Sequence, residues 1–187
     1  MFRKPLFALV LTIATACSGA HEGPTTPPPV TMSSPGAYTQ ADVAFMQGMI
    51  HHHGQALDMV ALVPQRSRSE SLGILAARID ATQRDEIRRM SQWLRARRES
   101  VPEPESYRDH LAHGMSMPGM LSAEQMQQLT AATGENFDRL FLEYMIQHHE
   151  GALVMVSELQ AAGGGIGGEI YILASDVDAD QRAEIAR

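Results

Sequence analysis

The chain is poor in the residues that most often announce a chemistry. It has one Cys in 187 residues. A single Cys cannot form an internal disulfide, and it excludes CxxC zinc ribbons, Cys-ligated iron–sulfur clusters and CxxCH haem attachment. Aromatic residues make up only 5%, too few for base-stacking platforms. Positive charge is in deficit: 15 Lys and Arg against 22 Asp and Glu give a net −7 with His neutral. No nucleic-acid partner is expected from that balance. No nucleophile–base pair or carboxylate dyad stands out, so hydrolysis is not indicated and no enzymatic reaction is required. What remains is a hydrophobic content of 44%, enough for a core, with 12 Met and 8 His. That is a surplus of soft and borderline metal ligands.

The start of the chain has its own composition. Arg3 and Lys4 precede a mostly apolar run, Leu6 to Ala16. This is the layout of a secretory signal, too short to span a bilayer as a permanent helix. The run ends Ala14-Thr15-Ala16-Cys17, which resembles a bacterial lipobox. Residues 1–16 therefore read as a signal peptide and Cys17 as a lipidation site. The alternative is ordinary cleavage leaving a free thiol. Residues 17–38 carry Pro24, Pro27, Pro28, Pro29 and Pro35 and read as a solvated tether. The expected location is the cell envelope or periplasm, with the membrane reached through the lipid anchor only. The folded part is residues 39–187, one domain by length.

That part contains a duplication. Asp42–Val60 (DVAFMQGMIHHHGQALDMV) and Asp138–Val156 (DRLFLEYMIQHHEGALVMV) are identical at ten of 19 positions, at an offset of 96. Ile79–Ile87 (IDATQRDEI) and Val177–Ile185 (VDADQRAEI) share six of nine at an offset of 98. Such a repeat implies a duplicated supersecondary unit. Phe45, Met49, His52, Ala56 and Met59 recur at spacings of three and four, one face of a helix. Thr39-x-x-Asp42 reads as its N-terminal cap and Pro64 as its end. A second helix is expected over 70–98, with Leu75, Ile79, Ile87, Met90 and Leu94 inward and its Arg residues on a solvated face. Ser122-x-x-Gln125 reads as the capping box of a short helix, and a third long helix spans 135–161. GGGIGG (163–168) supplies a turn before the fourth. The fold expected is all-α: a four-helix bundle of two duplicated hairpins joined by a long crossover. Repeat one is 39–99, the crossover 100–134 and repeat two 135–187. Counterparts of Met90, Trp93 and Leu94 would fall just past 187, so the sequence reads as a fragment or its last helix as short.

The chemistry lies on the repeated face. Met49, His52 and Met59 are matched by Met145, His148 and Met155, and His53 by His149. His53 sits about 100° round from His52, on a stripe with Ile50, Leu57 and Val60, mirrored by Ile146, Leu153 and Val156. Met49 precedes His52 by three and His53 by four, so all three can converge on one point. Imidazole suits copper, zinc or iron, and thioether favours Cu(I). Such a set is poor for magnesium or calcium. Gln83 and Glu86, mirrored by Gln181 and Glu184, read as outer partners orienting the imidazoles, or as ligands. A single buried Met or His is most often packing alone, but four imidazoles duplicated with their Met are costly to bury without a role. The crossover adds His110, His113, Met115, Met117 and Met120 in a segment read as flexible and exposed, suited to first capture of metal.

Met49-Ile-x-His52-His53-x-x-Ala56-x-x-Met59, its copy from Met145 to Met155, the HGMxMPGM stretch (His113–Met120) and Gln83-x-x-Glu86-Ile87 together resemble the domain of unknown function 305 family. The resemblance covers residues 39–187. It implies a ferritin-like fold and a bacterial, often exported protein, with copper binding and tolerance among some members. Fold does not carry chemistry with it. Di-iron bundles use Glu-x-x-His, and no Glu here has a His three residues later, so an iron oxidase of that type is not expected. His51, where the copy has Gln147, departs from the internal symmetry.

The reading that follows is an anchored, exported protein that binds a metal ion, copper as Cu(I) first, with zinc or iron as alternatives. It would sequester the metal or hand it to a transfer partner, and homo-oligomers are compatible. One rival is a redox metalloprotein or haem-binding bundle. The other is a lipoprotein scaffold that binds no metal.

Overall fold

The computed structural model describes residues 38–112 and 117–187, without the side chains of 110–112. The expected signal peptide, Cys17 and the expected tether up to residue 37 lie outside the described residues, as do His113 and Met115 and the side chain of His110. The described chain is all-α: α1 (Gln40–Arg66), α2 (Glu70–Ala96), α3 (Tyr107–Ala112), α4 (Ala123–Ala131), α5 (Gly134–Ala161) and α6 (Gly168–Ile185). None is long and apolar enough to cross a membrane.

Local chemistry sets the boundaries. Thr39 and Asp42 form a reciprocal capping box at the start of α1, and Ser122 and Gln125 do the same for α4. Asp42 has a second task. Its Oδ1 accepts from Gly165 N–H at 2.7 Å, tying the start of α1 to the α5–α6 turn. Gly163, at φ 76°, supplies the left-handed residue that lets the chain leave α5. Pro64 does not end α1. It sits inside the last turn, and the helix runs on to Arg66. The proline removes the donor that would bond the Val60 carbonyl, and the bond from Ser67 N–H to the Val63 carbonyl (2.9 Å) carries the helix past it.

α1 packs against α2 and α5, and α6 against α5 and α2. Two apolar clusters fill the interior. One joins the first half of α1 (Phe45, Met46, Met49), the end of α2 (Met90, Trp93, Leu94), the second half of α5 (Met155, Leu159) and α6 (Leu173, Val177). The other joins the end of α1 (Met59, Val63), the start of α2 (Leu72, Ile79) and the first half of α5 (Phe137, Phe141, Met145). Neighbouring long helices therefore run antiparallel. Leu75 and Ile87 are only partly buried, and Leu72 and Ala76 take the inward positions on α2 instead. Ile146 is 40% exposed, unlike its copy Ile50.

The crossover is pinned to both central helices. A single helical turn, Pro104–Ser106, meets α1 at Gly54, where a Cβ would lie 2.2 Å from Pro104 O. Pro118 and Gly119 meet α5 at Gly151, where a Cβ would lie 2.1 Å from Pro118 O. Gln55 is fully buried and clamps the Leu121 backbone, donating to its carbonyl (3.0 Å) and accepting from its N–H (2.7 Å). The end of the crossover is therefore not an exposed loop: Met120 is buried and Met117 half-buried.

Two glycine substitutions should move stability in opposite directions. Gly151→Ala, with rigid backbone in the way, should cost about 1–3 kcal/mol in urea unfolding. Gly73→Ala, in the exposed face of α2 with nothing within 4 Å of a Cβ, should gain about 0.5–1 kcal/mol.

Candidate metal centre

Between the two apolar clusters lies a polar layer. α1 contributes His52 and His53, α5 His148 and His149, α2 Gln83 and Glu86, and α6 Gln181 and Glu184. All eight are buried. The duplicated sequence places them symmetrically. His53 Nε2 and Glu86 Oε2 are 2.6 Å apart, and His149 Nε2 and Glu184 Oε2 are also 2.6 Å apart. With the carboxylate accepting from Nε2–H, Nδ1 of each imidazole keeps its lone pair.

His52 and His148 meet at the centre. Their rings stack across the α1–α5 contact with centroids 3.8 Å apart and planes tilted by 37°. The His52–His53 and His148–His149 ring separations are 6.4 and 6.2 Å. The layer thus forms a row: Glu86, His53, His52, His148, His149, Glu184. Adjacent imidazoles of one helix diverge, and those of different helices come together. The convergence expected within each helix is replaced by convergence between helices.

Burial controls the protonation of the central pair. Desolvation, reinforced by repulsion from His53, pushes the His52 imidazole down to about 3, although its Nε2 contact with Pro118 O (3.0 Å) opposes this. Desolvation also holds His148 well below the ordinary histidine range, with repulsion from His52 next in weight. Both rings are neutral at pH 7, the form that binds metal.

Many polar atoms of this layer have no hydrogen-bond partner within the protein. They are Nδ1 of His52, His53 and His149, both ring nitrogens of His148, Oε1 of Glu86 and both amide atoms of Gln83 and Gln181. Among the described residues these are ten of the 14 such buried atoms. Buried polar atoms are nearly always satisfied, so their concentration in one layer marks a place built around another species. A metal that takes nitrogen and sulfur fits this donor set. Among the described residues no three His, Asp or Glu side chains converge as a ready-made cage. A metal here would draw on thioether as well as imidazole.

The candidate Met residues flank the row. Met49 and Met155 lie in the apolar cluster on one side, Met59 and Met145 in that on the other. Each side therefore holds one thioether from each repeat, because α1 and α5 are antiparallel. Met46 and Met90, both fully buried, add to the first side. The sequence reading missed the Pro118 carbonyl that holds His52. Its signal was the Pro-Gly turn inside a Met-rich run.

This helical fold has solved counterparts. The chain belongs to the family described as Domain of unknown function (DUF305), which it matches over residues 42–187. It is similar to a DUF305 fragment from Deinococcus radiodurans (33% identity, TM-score 0.67, covering 80% of this chain and 93% of that one). It is also similar to a putative secreted DUF305 protein from Streptomyces coelicolor (29%, 0.65, 78% and 88%). A third likeness is to CopM in its Cu(I)-bound form (29%, 0.59, 80% and 92%). No curated protein matches.

The sign of the pH dependence follows from the central pair. Unfolded His binds protons near pH 6.5, whereas folded His52 and His148 do not until far lower. Their contribution is intact above about pH 6.5 and is lost as pH falls towards 3. Metal-free protein should lose up to about 2.7 kcal/mol per pH unit from this pair between pH 6 and 4.5. His148→Leu should roughly halve that slope in urea unfolding across the range.

Proposed function

We propose that this protein is an exported copper-binding protein that sequesters Cu(I) or hands it on, through a centre shared by its two repeats. The observation that carries the reading is the concentration of partnerless buried nitrogen and oxygen atoms in one layer, with a Met from each repeat on either side. Soft thioether and neutral imidazole together favour Cu(I) over harder cations. The likeness to CopM, whose structures include Cu(I)-, Cu(II)- and Ag-bound forms, supports copper as cargo. The likeness to a putative secreted protein, with the signal-like start of the chain, supports export.

His52, His53, His148 and His149 are assigned the centre, with Met49, Met59, Met145 and Met155 flanking it. Glu86 and Glu184 orient the outer imidazoles, and Gln83 and Gln181 face the same interior. A b-type haem is disfavoured. Its axial ligands must lie on opposite faces of a macrocycle, whereas His52 and His148 are stacked on each other. Anchoring through Cys17 and first capture by His110, His113, Met115 and Met117 belong to the same proposal, whereas Met120, being buried, is left out of the capture step.

Competition against a coloured Cu(I) chelator tests it. Wild-type protein should bind at least one equivalent. The His52→Ala, His148→Ala double variant, with helicity checked by circular dichroism, should bind roughly 100-fold more weakly, and Glu86→Gln about tenfold more weakly. Unchanged affinity in the double variant would refute the assigned centre.

A further inference from the structure

The two ends of the layer are not alike, and the difference lies at one pair of equivalent positions. Gly48 in α1 corresponds to Tyr144 in α5. Around Gly48 there is a surface groove of about 290 Å³ whose lining includes Phe45, Gly48, Met117, Pro118, Met155 and Glu158. A Cβ on Gly48 would lie 3.3 Å from Met155 Cε and 3.6 Å from Met117 Sδ. Both thioether arms therefore reach over bare backbone. At the equivalent place in repeat two the Tyr144 side chain is buried, and its hydroxyl donates to Gln128 of α4 at 2.7 Å. That end is filled and roofed.

The groove lies next to the imidazole row. Pro118 lines it, and the Pro118 carbonyl is the group that accepts from His52 Nε2. Gly48 is one turn before His52 on the same face of α1. Met155 is two turns after His148 on α5. The carboxylate of Glu158 in the lining favours a cation, and the thioethers of Met117 and Met155 favour a soft one.

We infer that the groove at Gly48 is an entrance for a soft monovalent metal ion, with Met117 and Met155 passing it from the surface to the His52–His148 pair. Gly48 keeps this passage open, and Tyr144 closes its symmetric counterpart. The inference rests on the copper-binding reading above, but it concerns the route and not the destination.

The test is the rate at which the full, metal-free protein takes Cu(I) from a coloured chelator, followed by stopped flow, beside the equilibrium affinity. Met117→Leu keeps the volume and removes the sulfur. It should slow uptake about tenfold, by more than it weakens the final affinity, while final stoichiometry stays the same. Gly48→Ala should slow uptake as well, by narrowing the passage. Wild-type rates in both variants would overturn the entrance while leaving the copper-binding reading intact. A fall in affinity matching the fall in rate would also overturn it, by putting Met117 in the final site. Wild-type protein that takes up no Cu(I) would overturn both readings.

Discussion

The contact between His52 and His148 is the constraint on which the rest of the structure depends. Two neutral imidazoles from helices far apart in sequence are held face to face away from water. Removing polar groups from water is expensive unless they are paired, and most of the nitrogens here have no partner within the protein. The surrounding architecture makes the burial tolerable. Apolar clusters on both sides supply the favourable burial, and the outer imidazoles are each given a carboxylate. The crossover then brings the Pro118 carbonyl down onto His52. A fold selected for packing alone would fill this layer with Leu or Ile, which satisfy themselves.

Internal symmetry and its breaking have separate meanings. The positions that match between repeats (Met49, His52, His53, Ala56, Met59 and their copies) face the shared interior. Several that differ face the crossover. His51 contacts Ser106, whereas its counterpart Gln147 bonds the Gly119 carbonyl and Gln125. Gly54 and Gly151 admit crossover backbone at different levels, and Gln55 grips Leu121. One connection must pass over two equivalent hairpins, so it meets each at a different place. The hairpins have diverged where it touches them.

Much of this was legible in the sequence. The duplication, the helical faces and two capping boxes follow from local patterns, and those patterns correspond to the observed helices. The site was legible as a set of residues but not as an arrangement. Spacing along one helix indicates which side chains share a face. It cannot tell that His52 turns to meet His148 while His53 turns to Glu86, because that depends on how α1 and α5 approach. The burial of Met120 was missed for a related reason. A Met-Pro-Gly-Met run looks like exposed loop until Gly151 is known to make room for it. Pro64 reads as a stop because proline removes a helix donor, yet the helix continues past it, with Ser67 N–H still bonding the Val63 carbonyl at 2.9 Å.

Chain order gives the central pair a further property. The dyad of His53 and Glu86 is complete once the first hairpin has formed, and that of His149 and Glu184 once the second has. The stacked pair joins positions 96 residues apart and exists only when both hairpins have docked. A growing chain with only its first half folded would carry an oriented imidazole but no shared centre. Formation of the stacked pair is thereby coupled to completion of the tertiary structure, so a cargo held there would report that the whole domain is assembled.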